Sequence, residues 1–224
     1  MLFLFSMTFS ISIAVGILLA NIEIIAYSSK YYRGEFSSLG VYSEFERRGI
    51  SNSELDEYAT RIILFLRGMG ELPEGLLNQD EEAHMEDVRA LFSLSRRVLI
   101  LSGMIAAISV STIILISGQD ACFEIARSLR KASTIFLVIL ILGSAALMHP
   151  SGFEMAFIGF HRIFFPRGNW TFPEGSIITS LFPERFFQRA ALRITLMSAL
   201  EMAVFVLISP RMCHIFRRRK RRKL

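Results

Sequence analysis

Apart from Ser and Thr, residues 2–20 are apolar, and the run continues past Asn21 and Glu23 to Tyr27. A membrane-crossing helix needs about 20 such residues. The basic n-region of a secretory leader is missing and the run is long for its apolar core, so a first transmembrane helix is expected over 1–27. Three more apolar runs follow. Residues 98–117 carry no charge, 132–148 stop at His149-Pro150, and 190–209 are interrupted by Arg193 and Glu201. Between the first two spans, residues 28–97 are polar and mixed in charge, too long for a turn, and broken by Gly34, Gly40, Gly49, Gly68 and Gly70. Within them 54–68 reads as an amphipathic helix with Leu55, Tyr58, Ile62 and Leu66 on one stripe. Residues 41–45 suggest a short strand. Asn78 or Asp80 can cap a helix that leads into the second span. Residues 118–131 read as a short polar loop, and 149–189 as a Phe- and Pro-rich segment partly embedded in the membrane. The expected fold is mainly α and integral to the membrane. It is a four-helix transmembrane bundle with a small extracellular subdomain and a membrane-interfacial segment.

A mean hydropathy of +0.45 with 52% hydrophobic residues agrees with a membrane bundle. The charge is concentrated at one end: Arg217–Arg219, Lys220, Arg221, Arg222 and Lys223 are consecutive, and without them the formal +5 becomes about −2. Such a run sets topology and meets anionic lipid heads, so no nucleic-acid partner is expected. By the positive-inside rule the tail, 210–224, is cytoplasmic. Four spans then place the N-terminus inside with it, and the loop 118–131, with Arg127, Arg130 and Lys131, falls on the same side. Residues 28–97 and 149–189 fall outside. All five tyrosines and the single tryptophan lie on that outer side, as interfacial aromatic residues do. The two cysteines, Cys122 and Cys213, fall inside and have no zinc-site spacing, which argues against a disulfide framework.

Two histidines stand out. On a helix through 80–92, His84 shares a face with Val88, Leu91, Phe92 and Ser95, and Asp87 lies three residues on, close enough to orient the imidazole. On a helix through 153–165, Phe153, Phe157, Phe160, His161 and Phe164 form one stripe, where desolvation keeps an imidazole neutral and able to act as a base. Each has a plainer reading: a solvated acidic helix start for the first, an interfacial anchor for the second. His84 and His161 with Glu81, Glu82 or Asp87 could also bind a metal, as in a membrane hydrolase, although no two histidines share a helix at i, i+4. His149 reads as a helix boundary, and His214 belongs with the basic tail. Asn169-Trp170-Thr171 matches a glycosylation sequon. Arg193 and Glu201 within the fourth span would suit a non-catalytic assembly partner or small transporter. No phosphate-binding glycine loop, nucleophile elbow or H-E-x-x-H is present.

E-A-H-M-E-D-V-R-A-L-F at 82–92, F-H-R-I-F-F-P-R-G-N-W-T-F-P at 160–173 and I-I-T-S-L-F-P-E-R-F-F at 177–187 together resemble the bacterial lipoprotein intramolecular transacylases. These are four-span membrane proteins of Gram-positive bacteria. The resemblance covers the hydropathy and loop order of nearly the whole chain. Residues 28–74 resemble the family only in length and polarity, and the basic tail has no counterpart in it. The resemblance implies an enzyme of the bacterial cytoplasmic membrane that moves the sn-2 acyl chain of a diacylglyceryl-cysteine lipoprotein onto its own α-amine, leaving a lyso-lipoprotein. It implies His84 and His161 as the catalytic pair at the outer interface, with no cofactor and no metal. Beside it, Asp87, Arg89 and Arg162 are expected in support, and Phe157, Phe160, Phe164, Trp170 and Phe172 as walls for acyl chains. The expected partners are diacylated lipoproteins and membrane lipids, around a monomer.

Overall fold

The computed structural model describes residues 1–221, with side chains as far as Ser209. The side chains of the basic run, of Cys213 and of His214 lie outside the described residues. Every regular element among these residues is helical: α1 (Leu2–Ala26), α2 (Ser29–Ser38), α3 (Val41–Arg47), α4 (Asn52–Leu66), α5 (Gln79–Ser117), α6 (Ala121–Met148), α7 (Pro150–Phe164), α8 (Ile177–Leu181) and α9 (Glu184–Arg221). Among the described residues three helical stretches are long and apolar enough to cross a membrane: Leu2–Ala26, Gln79–Met148 and Glu184–Ser209.

The strand expected at 41–45 is a helix instead. Val41 and Phe45 are both buried, and their spacing of four puts them on one helical face, while Glu44 pairs forward with Arg47 and Arg48. Gly40, at φ 75°, supplies the left-handed residue that turns the chain into it. The amphipathic helix is present as α4, closed at its start by a capping box between Ser51 and Glu54. Leu55, Ala59, Ile62, Ile63 and Leu66 are its buried stripe.

The loop expected at 118–131 is mostly helix. Only Gly118–Asp120 departs from α geometry, and Ala121, Ile125 and Leu129 line one face at spacing four. The polarity of that stretch belongs to its other faces. The chain reverses at Gly118, as two hydrogen bonds from α1 demonstrate. Thr8 bonds the Ser109 hydroxyl at 3.0 Å and Ser10 donates to the Ser128 carbonyl at 3.3 Å. Thr8 and Ser10 lie roughly 3 Å apart along their axis, whereas 109 and 128 would be roughly 28 Å apart on one straight helix. Only a hairpin of α5 and α6 satisfies both.

The chain forms two compact units. One comprises Met1–Asn21, Arg97–Ala145 and Ile194–Leu224. Its core is Phe9, Ala106, Ile113 and Ala121, with Phe5, Ile13 and Val110 packed around. Asn21 donates to Ser198 at 3.0 Å and to Glu201 at 2.8 Å, so the carboxylate in that apolar run has an α1 partner.

The other comprises Ile22–Arg96 and Ala146–Arg193. Tyr32, Phe36, Phe182 and Phe186 form an aromatic cluster joining α2 to the α8–α9 corner, and the Tyr31 hydroxyl donates to the Phe186 carbonyl at 2.7 Å. Glu35, fully buried on α2, accepts from Arg189 at 2.8 Å and Arg193 at 3.0 Å. Arg193 therefore has a structural partner outside the apolar part of its helix.

Candidate active site

The first turn of α5 is set by a reciprocal cap. Asn78 Oδ1 accepts the backbone N–H groups of Asp80 and Glu81 at 3.0 Å, and Glu81 returns Oε2 to the Asn78 N–H at 2.9 Å. The other oxygen, Oε1, accepts the Ile178 N–H at 3.0 Å, in the first turn of α8. Glu81 is 1% exposed and both oxygens are engaged, so this carboxylate fastens two helices rather than facing a metal. His84 follows at the next turn, 7% exposed.

The second histidine comes from α7. His149 stands at its N-cap and Pro150 at the first helical position, where a missing N–H costs nothing. A Cβ on Gly152 would lie 2.2 Å from the Ala146 carbonyl oxygen, so only glycine lets the helix leave α6 this closely. His161 sits in the last turn, its Nδ1 at 2.7 Å from the Phe157 carbonyl. A carbonyl only accepts, so the proton is on Nδ1 and Nε2 is left as the basic nitrogen.

The structure brings the two imidazoles together. Their centroids are 6.3 Å apart and their planes within 23°, too far for a ring-to-ring hydrogen bond but suited to a polar group held between them. Phe165 touches both, at 4.9 Å from His84 and 5.5 Å from His161. Phe172 closes on His84 at 5.5 Å, while Phe157 at 4.1 Å, Trp170 at 4.9 Å and Phe160 at 5.5 Å surround His161. Burial among these rings, and secondarily the neighbouring His161, pushes His84 down to about 4, partly offset by the Asp87 carboxylate. Burial likewise lowers His161, against the opposing pull of the Phe157 carbonyl. Both rings are therefore neutral near pH 7.

Asp87 does not orient His84 by a hydrogen bond. Its Oδ2 accepts from Asn169 Nδ2 at 2.7 Å, and His84 Nδ1 is buried with no partner among the described residues. The orienting acceptor expected at His84 is found at His161 instead, and it is a backbone carbonyl. Arg89 is also elsewhere: it pairs with Glu86, lies over the Phe65 ring at 4.6 Å and lines a separate cleft with Glu71 and Glu82. Arg162 is exposed at the end of α7, and Phe164, 47% exposed, packs at a tilt against Phe160, 4.8 Å between ring centroids, rather than on an imidazole. Two residues of the site were not anticipated. Phe165 lies four positions beyond His161, one step further along the same stripe. Asn169, read above as a sequon, is tied to Asp87 across 82 positions of sequence, which no local pattern reveals. No group of three or more metal-ligating side chains occurs among the described residues.

A sequence profile described as Lipoprotein intramolecular transacylase Lit matches residues 7–187. The chain is similar to the in meso structure of the membrane integral lipoprotein intramolecular transacylase Lit from Bacillus cereus, with a TM-score of 0.73 and 22% identity over 99% of this chain and 98% of that one. A structure of the Bacillus cereus protein with a histidine replaced by arginine gives 0.74 at 21% identity, over 100% and 95%. One with a histidine replaced by alanine gives 0.75 at 21%, over 97% and 96%. The search of curated proteins finds no match.

Proposed function

The chain belongs to the lipoprotein intramolecular transacylase family and is a membrane-integral acyltransferase, and on that premise we propose the reaction and the residues that carry it. The substrate is a lipoprotein whose N-terminal cysteine bears a diacylglyceryl group and a free α-amine. The sn-2 acyl chain passes from the glyceryl oxygen to that amine: a C–N bond forms, the ester C–O bond breaks, and a lyso-lipoprotein results.

One observation carries this reading: two neutral imidazoles face each other 6.3 Å apart in an aromatic enclosure. An α-amine has a reference pKa near 8 and is mostly protonated at neutral pH, so it needs a base. One imidazole accepts that proton, and the other serves the departing glyceryl oxygen and the oxyanion before it. Acid–base help of this kind contributes roughly 10²–10⁴-fold. Donor and acceptor belong to one cysteine, so holding a cyclic geometry supplies much of the remainder, up to roughly 7–11 kcal/mol. Phe157, Phe160, Phe165, Trp170 and Phe172 give the acyl chains an apolar wall and keep water from the ester. Arg162, exposed beside this wall, suits lipid carbonyls or phosphates.

The same reading assigns four spans, 1–27, 98–117, 132–148 and 190–209, in a monomer of the bacterial cytoplasmic membrane. The reversal at Gly118 supports dividing the apolar part of the 70-residue helical stretch into two of them. The turn and helical residues 118–131 and the tail 210–224 then lie in the cytoplasm, and 28–97 and 149–189 lie outside, where the histidines meet a substrate tethered by its own lipid. The test is expression in cells that make diacylated lipoproteins, with lipopeptide N-termini read by tandem mass spectrometry. N-acylated, singly O-acylated cysteine is expected; unchanged diacylglyceryl cysteine with a free amine would sink the reading.

A further inference from the structure

The Asp87–Asn169 hydrogen bond links the two segments that carry the histidines. Asp87 lies three residues after His84 on α5, and Asn169 precedes Trp170, whose ring meets His161 at 4.9 Å. A carboxylate only accepts, so the Asn169 amide must show Nδ2 to Asp87 and turn Oδ1 away. That oxygen is buried and has no donor among the described residues. His84 Nδ1 is in the same condition, on a side chain only 7% exposed. Two buried atoms that can accept, beside one carboxylate, are costly to leave unmatched unless a ligand supplies the donors. Their chemistry specifies that ligand: a cationic centre carrying several N–H bonds.

Resting on the acyl-transfer reading, we propose that Asp87 and Asn169 form the seat for the substrate's α-ammonium. Its three N–H bonds are directed to Asn169 Oδ1, to an Asp87 carboxylate oxygen and to His84 Nδ1, with the His84 proton on Nε2. This places the amine on the His84 side and the glyceryl ester on the His161 side. His84 takes one ammonium proton, which leaves to solvent, and the freed lone pair attacks the sn-2 ester carbonyl carbon. As the C–O bond breaks, a second proton passes from nitrogen through His161 Nε2 to the glyceryl oxygen, and the third stays on the amide. Asn169 thereby distinguishes a free amine from one already acylated, since an amide product carries a single N–H and no charge.

The experiment uses the full chain in lipid vesicles with two synthetic probes: a diacylglyceryl-cysteine peptide with a free amine, and its N-acetylated form as competitive inhibitor. Asn169→Ala should raise KM for the free amine roughly tenfold to a hundredfold, the range for a hydrogen bond to a charged group, and leave Ki for the acetylated probe within about twofold. Asp87→Asn keeps an oxygen to accept from Asn169 Nδ2 and removes only the charge, so it should show the same selectivity even if the alanine variant folds poorly. Equal weakening of both probes, or of neither, overturns the seat and leaves Asn169 a purely structural bond. Absence of any N-acyl product from the unsubstituted chain would instead overturn the acyl-transfer reading itself.

Discussion

In the unit built from Met1–Asn21, Arg97–Ala145 and Ile194–Leu224, the polar contacts are mainly hydroxyls and amides: Thr8 to Ser109, Ser10 to the Ser128 carbonyl, Asn21 to Ser198 and Glu201. In the unit built from Ile22–Arg96 and Ala146–Arg193 they are carboxylates with committed partners: buried Glu35 with two arginines, buried Glu81 with two backbone N–H groups, half-buried Asp87 with Asn169. Small hydroxyls let helix backbones approach in lipid, and each such bond contributes little, about 0.6 kcal/mol on average. A buried carboxylate is costly to strand, so it tolerates only one arrangement of its neighbours. The first unit is thus held by many replaceable contacts. The second is held by a few that also fix where the histidines stand.

That contrast is open to attack, and the strongest attack is on the imidazoles. His84→Ala and His161→Ala should each lower N-acyl product formation by on the order of 10²–10⁴-fold while helicity by circular dichroism is unchanged. Activity retained in either variant removes that residue from the site. The same rings set a pH window. His84 is held near 4 in the folded chain against an ordinary value of 6.5, so the unfolded chain takes up the proton first. Its contribution is present above about 6.5, is lost as pH falls from there towards about 4, and then levels off. Unfolding in detergent followed across that range should show the loss, and His84→Gln should flatten it.

Glu35→Ala should cost about 1–3 kcal/mol in the same unfolding measurement. It removes a 2%-exposed carboxylate and leaves two arginines that can still reach solvent. Glu81→Ala loses the cap on α5 and the bond to Ile178, about 1–2 kcal/mol. Because His84 follows one turn later, product formation should fall with it; full activity in a destabilised Glu81 variant would detach the cap from the site. Smallest of all, Thr8→Val with Ser109→Ala should change stability by less than about 1 kcal/mol and leave product formation as it was. A large loss there would erase the distinction between the units.

The apolar runs of α1 and α9, the α4 stripe and the two histidines were legible because each is a local pattern with a helical period. The strand expected at 41–45 shows the limit: five residues fit either period, and the burial of Val41 together with Phe45 decides for the helix. Residues 121–131 misled for a related reason, since averaged polarity conceals a stripe of one apolar residue in four. Asp87 was assigned to His84 by proximity in sequence, yet the partner it takes is 82 positions away. The acceptor that orients His161 is a backbone carbonyl, and every residue has one, so composition cannot mark it.

Whether the acyl chain moves within one lipopeptide molecule is decided by a crossover experiment. Two diacylglyceryl-cysteine peptides of different sequence, only one isotopically labelled in its sn-2 acyl chain, are mixed with the full chain in vesicles and their products read by tandem mass spectrometry. Each N-acyl peptide should carry its own sn-2 chain, with no label on the unlabelled peptide. Label shared between the peptides, or released as free fatty acid with the amine unmodified, would contradict transfer within one molecule.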